Sequence, residues 1–524
     1  MKLFLRYMNT IISRMNKQAL IALFLLALVL RIGYFFWQNV PVLNQDEAAL
    51  LLNARFITET GRDEWQQFLP FTFRSFGDYK LPGYIYGTSL VGSVLGFSLV
   101  SVRFLSFMAG LGNIVLMYLL GKRLFSQSVG WWSALLLVLS PWSWHYSSVG
   151  FEANVGLFFF LMSFVVLLQK PITARSGIVV VGSLLLGGFT YNSPFLLSPL
   201  LLWVLILWHG IKSRESQSLL SGILATMMML LLLTLPATMQ KEGISLFSDP
   251  TLLSLYPSYR ASFSGINQTL IGNQYVYFGL LVVKNLFRSF SWIFLVTQGG
   301  SNPWHTIPGI GHLHFLIPIG AAMSLGAFVK ALQLSRWRSK ALMMFGLLLG
   351  SLLPAVITVD APHATRSLFF FIMITLFAGV VFAEVEKNIS VLPRKGSILS
   401  VLIFLLMAGF LQWWVPSRAL WRSLDVQDRR WPVGLPAALQ SLPSDLQDVA
   451  VADAHGVLYT FVANETNMSP MVFWETIHRS EPDTAGLVRV ERLGRFSFVQ
   501  EKPSEFTGHY LAPVSSQKWA IIDL

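Results

Sequence analysis

Charged side chains are scarce in this chain, and those outside its cytoplasmic-type turns gather at a few points. The first apolar run is followed by Asn44, Gln45, Asp46 and Glu47, then by Arg55, Arg62 and Asp63, then by Asp78 and Lys80. Glu152 lies where two later apolar runs meet, and His363 and Arg366 stand just ahead of another. Acids in two segments and bases in two others give a set with separated signs. Displacement at an anomeric carbon that carries a phosphate needs that division. A carboxylate accepts the proton of the attacking nucleophile. The departing phosphate needs charge stabilisation, not a general acid, and Lys or Arg supplies it. Taken singly, each residue also has a plain structural role. Asp46, Glu47 and Glu152 open helices, where an acid is worth about 0.3–1 kcal/mol against the helix dipole. Lys80 can snorkel from an interfacial helix, Arg366 can anchor a span and His363 can be an ordinary loop residue. Only the combination carries the chemical reading.

The elements that must position these groups are set by composition. Of 524 residues 54% are hydrophobic and only 12% are charged, with mean hydropathy +0.58. A water-soluble surface needs roughly 25% charged residues, so the remaining surface faces lipid. Apolar runs of about 20 residues recur through residue 415, each able to cross about 30 Å of hydrocarbon as a helix. The net charge of +12 is spread over short connections instead of clustering, which is the positive-inside pattern and excludes a nucleic-acid patch. With no cysteine, disulfides and thiolate metal sites are excluded. Lys2, Arg6, Arg14 and Lys17 precede the first run, and Tyr34, Phe35, Phe36 and Trp37 close it without a small-residue cleavage site. That reads as an uncleaved first span with a cytoplasmic N-terminus.

Charge then sorts the remaining runs. If residues 81–99 crossed the membrane, Lys122 and Arg123 would lie outside. A surface or re-entrant helix there, rich in Gly83, Gly87, Gly92 and Gly96, keeps them inside. The apolar stretch 275–297 carries Lys284 and Arg288 in mid-run, at a cost of about 2.5–3.5 kcal/mol for each charge at a bilayer centre, and reads as an amphipathic surface helix. The expectation is an all-α polytopic membrane protein of about eleven spans. Residues 1–415 form the membrane domain, with outer segments 40–102 and 238–310, and residues 416–524 form a small extracytoplasmic α/β domain. Val449–Val451 and Phe496–Val499 are its strand candidates. Trp431, Trp474 and Trp519 fit a small core better than a sugar-stacking surface.

Four segments carry a family resemblance. NQDEAALLLNARFITETGRDEW, beginning at Asn44, is similar to the first outer loop of GT-C glycosyltransferases of the protein O-mannosyltransferase and lipid A aminoarabinose transferase group. There an acid after the first span is the catalytic carboxylate, and Asp46 matches it with Glu47 beside it. DYKLPGYIYG resembles the group's Lys-Pro-Pro-Leu-Tyr-Tyr segment, whose lysine contacts the lipid phosphate. Lys80 matches that lysine, and Leu81 replaces the first proline. HYSSVGFEANVG resembles a segment carrying an acid near the active site, matched by Glu152. PHATRSLFFF resembles a bacterial segment whose arginine faces the carrier phosphate, which carries over Arg366 and His363. The resemblance spans approximately residues 20–385.

The resemblance implies a membrane glycosyltransferase, inverting, that moves a sugar from a polyprenyl-phosphate donor to a lipid, glycan or protein acceptor at the outer face of the plasma membrane. Asp46, Glu47 and Glu152 would be catalytic. Lys80, His363, Arg366, Arg62 and Asp78 would bind substrate. His305, His312 and His314 match no tight ligand spacing, and no metal or cofactor is predicted. The alternative is a transporter or flippase of lipid-linked sugars, but the two halves of the chain do not match and intramembrane charge is nearly limited to Arg31. A non-catalytic assembly or sensor protein is a third reading, one that tolerates loss of Asp46 and Lys80.

Overall fold

The structure is a computed structural model that describes residues 17–38, 42–76, 78–239, 245–300, 302, 305–307, 309–389, 403–412, 414, 432–443, 446–453, 456–481, 488–500, 509–515 and 518–523. In chain order the elements are α1 (Lys17–Gln38), α2 (Gln45–Thr60), β1 (Phe73–Ser75), β2 (Asp78–Lys80), α3 (Pro82–Leu95), α4 (Leu99–Leu124), α5 (Gln127–Val138), α6 (Pro141–Ser148), α7 (Glu152–Leu167), α8 (Ala174–Thr190), α9 (Asn192–Val204) and α10 (Arg214–Met239). There follow α11 (Pro250–Ala261), α12 (Ile266–Leu270), α13 (Gln274–Ser289), α14 (Leu316–Gln333), α15 (Ser335–Gly350), α16 (Leu353–Val356) and α17 (Leu368–Ile389). The apolar helix Ile403–Gln412 is α18. The chain ends with α19 (Leu435–Gln440), β3 (Val449–Ala452), α20 (Tyr459–Glu465), α21 (Pro470–Thr476), β4 (Ile477–Arg479), β5 (Val490–Leu493), β6 (Phe496–Val499), β7 (His509–Ser515) and β8 (Lys518–Asp523).

Two compact units emerge. The first comprises residues 1–35, 106–235 and 241–417, and the second residues 36–105, 236–240 and 418–524.

The first unit is helical and apolar. Among the described residues of the chain, six helices are long and apolar enough to cross a membrane, or seven if α6 and α7, bent by 113° at their junction, count as one broken span. These are the helices of an integral membrane protein. The apolar stretch 129–147 is not one helix. α5 stops at Val138, Leu139 and Ser140 intervene, and Pro141 opens α6. A proline has no amide proton and is disfavoured inside a helix but suited to its first turn, so it starts a new helix. Arg31, the charge expected inside the bilayer, is 2% exposed. Its guanidinium donates to the Ser143 hydroxyl at 2.6 Å and the Ser147 hydroxyl at 3.1 Å, tying α1 to α6. Two glycines let α4 and α5 touch backbone to backbone: a Cβ on Gly130 would lie 2.4 Å from the Tyr118 carbonyl oxygen, and one on Gly121 2.7 Å from the Gly130 Cα. α13 covers most of the stretch 275–297 and runs for 16 residues, about 24 Å at 1.5 Å per residue, which is short of the hydrocarbon thickness.

The second unit pairs the segment after α1 with the C-terminal segment. Its sheet has order β4-β5-β6-β3-β7-β8. The central β3, Val449–Ala452, is wholly buried and runs parallel to β6 and β7, while the outer pairings are antiparallel. A continuous apolar run is what a strand covered on both faces requires. Leu52 and Phe56 of α2 form one buried cluster with Tyr459, Ala463, Phe473, Val490 and Leu493. Trp519 is buried and Trp474 is partly buried against this core. Trp431 lies outside the described residues. α3, within the stretch 81–99, has 14 residues and spans about 21 Å, too short to cross.

Candidate active site

In the second unit the site is built from the N-terminus of α2. Asn44 caps the helix through a reciprocal box: its side-chain oxygen accepts from the Glu47 amide at 2.7 Å, and its own amide donates to Glu47 Oε2 at 3.0 Å. Glu47 is fully buried. Its carboxylate also accepts a forked pair of bonds from Arg103, Nε to Oε1 at 2.7 Å and Nη2 to Oε2 at 2.9 Å, while the same Nη2 reaches the Val42 carbonyl at 3.2 Å. Two charges at this depth are tolerable only as such a pair. The clamp fixes the first turn of α2, and with it the direction of the neighbouring residue.

That neighbour is Asp46. It lies about 100° around the helix from Glu47 and keeps 36% of its side chain exposed, with Oδ1 accepting from Lys80 Nζ at 2.6 Å. Lys80 ends β2 and is only 6% exposed. The β1–β2 hairpin, registered as Phe73 against Lys80 and Ser75 against Asp78, delivers it. Leu81 and Pro82 then stop the strand and open α3, whose Tyr84 hydroxyl is tied to the Val102 carbonyl at 2.6 Å. Of the residues expected in this segment, the structure therefore brings Asp46 and Lys80 into direct contact. Arg62 instead serves its own loop, donating to the Gln66 carbonyl at 2.8 Å and lying over the Phe68 ring. The Asp78 side chain lies outside the described residues.

The same unit holds a further buried carboxylate that the sequence reading missed. Glu64 is fully buried and accepts from the Asn53 amide nitrogen at 3.0 Å, the Ser75 hydroxyl at 2.8 Å and the Tyr459 hydroxyl at 2.7 Å. Arg479 stands 3.9 Å away and bonds the Glu64 carbonyl at 3.0 Å. Burial, and then the anionic Glu64, hold the Tyr459 hydroxyl far above its ordinary range, so it remains a donor. Asp63 accepts from the amides of Trp65 and Gln67 at 2.8 Å each. Burial nonetheless pushes its carboxyl up to about 6.

In the first unit, His363 and Arg366 gather around Asp360. Arg366 Nη1 donates to Asp360 Oδ1, and His363 Nε2 lies 3.3 Å from Asp360 Oδ2. Burial, reinforced by the adjacent Arg366, holds the His363 imidazole well below its usual value, so it is neutral and this contact is a hydrogen bond. With Nε2 donating, Nδ1 accepts from the Thr365 hydroxyl at 2.8 Å, and Thr365 accepts from the Tyr191 hydroxyl at 2.9 Å. Glu152 begins α7, and Glu152, Asp360 and Arg366 all act electrostatically on Tyr191. His305 and His363 approach to 4.7 Å between ring centroids. Among the described residues no three His, Asp or Glu side chains are grouped to hold a metal ion.

No protein-family model and no curated protein sequence matches the chain. Solved structures do. An oligosaccharyltransferase from Archaeoglobus fulgidus, in complex with zinc and sulfate, superposes with TM-score 0.50 at 12% identity over 85% of this chain and 61% of that one. The archaeal oligosaccharyltransferase AglB from the same organism, with an inhibitory peptide and a dolichol-phosphate, gives TM-score 0.51 at 14% identity over 85% and 63%. The chain shares the fold of these oligosaccharyltransferases. ArnT from Cupriavidus metallidurans bound to undecaprenyl phosphate gives TM-score 0.47 at 12% identity over 87% and 89%. The chain spans about three fifths of the length of the archaeal oligosaccharyltransferase. Identities this low convey the fold and leave the reaction to the side chains. Arg103, Asp360 and Tyr191 were not singled out in the sequence. Arg103 did leave a signal, as a basic residue at the end of its run opposite to Lys122 and Arg123, where it needs an acidic partner.

Proposed function

We propose that the protein is a membrane glycosyltransferase that moves a sugar from a polyprenyl-phosphate donor to an acceptor nucleophile, with inversion at the anomeric carbon. The Asp46–Lys80 pair carries this reading: a part-exposed carboxylate held at 2.6 Å by a buried ammonium. Burial of the lysine charge is supportable because an anion faces it, and the same ammonium, with three donors, suits a phosphate oxygen. Asp46 takes the acceptor's proton as the new bond to the anomeric carbon forms and the bond from that carbon to the phosphate oxygen breaks. Protonation removes the negative partner of Lys80 at the moment the leaving phosphate gains charge, so the ammonium passes from one anion to the other. Lys80 already touches Asp46, and its remaining donors are available in type to a phosphate oxygen.

Glu47, enclosed by Arg103, acts as a positioning residue for Asp46. Glu152, His363 and Arg366 are retained as contributors to acceptor and donor binding, each open to test by its own substitution. The same-fold AglB structure holds a dolichol-phosphate and a peptide, which supports a lipid-phosphate donor and leaves the acceptor class open. The archaeal structure with zinc raises the question of a metal. The described residues offer no three-ligand group for one, and the steps above use none.

The test is release of free polyprenyl phosphate from a labelled polyprenyl-phosphate sugar by purified protein with envelope extract as acceptor source. Wild type is expected to release it. Asp46→Asn should stay folded and fall at least about 100-fold, in keeping with loss of general base catalysis, and Lys80→Ala should raise the donor KM. Normal release by Asp46→Asn overturns the assignment, and a flippase releases nothing in any form.

A further inference from the structure

Within the first unit, and apart from every residue assigned above, α5 and α17 enclose a recess of about 190 Å³ lined by Ser128, Trp131, Trp132, Leu135 and Glu386. The four α5 residues follow the i, i+3, i+4, i+7 pattern of one helix face. Trp132 Nε1 donates to Glu386 Oε2 at 2.9 Å, which orients the carboxylate over the recess. The Trp132 ring rests against Phe382 at 5.3 Å, and Trp131 meets Tyr118 edge-on at 6.1 Å. On the Tyr118 ring in turn lies Lys122 Nζ, 5.8 Å from its centroid. Glu386 is exposed, and among the described residues no Lys, Arg or His pairs with it. The recess thus offers an anion and two indoles, with a cation one ring farther on.

Its position adds a direction. Glu384, Glu386 and Lys387 close α17 at the end of its apolar stretch Thr365–Asn388, and Lys122 and Arg123 close α4. From Ser128 to Leu135 the α5 face descends about 10 Å, at 1.5 Å per residue, from the charged end into the apolar zone. A ligand that fits is cationic at its tip, anionic next and apolar below.

We infer that this recess binds a phospholipid with a primary-ammonium headgroup, that is, an ethanolamine phospholipid. The ammonium sits against Glu386 and the indole faces, which attract cations through their quadrupoles. The phosphodiester turns toward Lys122, and the first methylenes of an acyl chain lie along Trp132 and Leu135. An anionic headgroup without an ammonium meets Glu386 as a like charge. A trimethylammonium cannot donate hydrogen bonds to Glu386 or to the Ser128 hydroxyl, so the primary ammonium is selected over both.

Native mass spectrometry of the full-length protein, released from detergent after incubation with equal amounts of ethanolamine, glycerol and choline phospholipids of the same acyl chains, reads this directly. Wild type should retain the ethanolamine lipid in preference to the other two. Glu386→Gln should lower that retention about 10-fold, as expected for loss of a charge-assisted hydrogen bond, and should raise retention of the glycerol lipid, whose like charge is then no longer opposed. Trp132→Phe keeps a ring but loses the indole donor that orients Glu386, and should fall between wild type and Glu386→Gln. Equal retention of ethanolamine and glycerol lipids by wild type overturns the site, as does an unchanged preference in Glu386→Gln. Displacement of the lipid by millimolar free ethanolamine overturns the assignment to a lipid.

Discussion

Asp46 and Glu47 are chemically similar neighbours whose surroundings give them different work. The sequence placed both at the start of a helix, and that much was legible from their position after an apolar run. Which of the two faces inward was not. It depends on Arg103, 56 positions along the chain, and no local pattern links the two. Because Glu47 is fully enclosed and bidentate to Arg103, Glu47→Gln leaves a buried guanidinium facing an amide. Breaking such a pair from one side costs about 3–5 kcal/mol. The expected outcome is a large drop in the melting temperature of the detergent-solubilised protein, and a smaller drop for Asp46→Asn, whose carboxylate is 36% exposed while Lys80 is buried. A Glu47→Gln protein that melts with wild type would show that the clamp contributes nothing to folding and that Glu47 is free to act on substrate.

At the scale of elements, the turn after α2 carries its own titration. Asp63 anchors this turn through the amides of Trp65 and Gln67, and burial pushes its carboxyl up to about 6, against about 3.9 in an unfolded chain. Between those values the folded protein binds more protons than the unfolded one, so this group's stabilisation is complete below about pH 4 and is lost as pH rises through about 6. Asp63→Asn keeps an acceptor for both amides and removes the buried charge. It should therefore melt above wild type at pH 7.5 and should lose the part of the pH dependence lying between about 4 and 6, read as the difference between paired thermal melts. A second element-scale expectation concerns the α4–α5 contact. A methyl group on Gly130 would meet the Tyr118 carbonyl at 2.4 Å, and backbone cannot yield as a side chain can. Gly130→Ala should cost about 1–3 kcal/mol by overpacking, visible as a lower melting temperature. Gly177→Ala, where nothing lies within 4 Å of the added carbon, is the control that should be tolerated.

Across the whole molecule, the apolar runs and the strand candidate 449–451 were legible because burial in lipid or on both faces of a sheet leaves a continuous apolar signature, whereas 496–499, interrupted by Ser497 and buried only at Phe496, was legible as a short, mainly apolar run. The break at Pro141 was less legible, since the residues on either side of it stay apolar and only the lone proline marks the change. Least legible was the association of residues 42–105 with the C-terminal segment, which rests on contacts some 400 positions apart. The Tyr459 hydroxyl reaches Glu64, Asn464 bonds the Ala48 carbonyl at 2.8 Å, and Arg55 bonds the Ala463 and Met468 carbonyls at 3.2 and 2.8 Å. The ring of Phe56 meets Phe473 edge-on at 5.1 Å. The helix that bears Asp46 thus takes one face of its packing from residues 459–493. A chain ended after residue 417 keeps Asp46, Lys80 and the Glu47–Arg103 clamp but exposes Leu52 and Phe56 and strands Glu64 without Tyr459 or Arg479. It should lose sugar transfer and become sensitive to protease between residues 61 and 80 while still inserting in membranes. Phe473→Ala tests the same packing without truncation. Loss of a buried aromatic ring costs about 3–5 kcal/mol, and transfer should decline in step with protease sensitivity in that segment. Full transfer and full protease resistance in the truncated chain would mean that α2 is held by something other than the contacts described, and that the C-terminal segment is dispensable to the site.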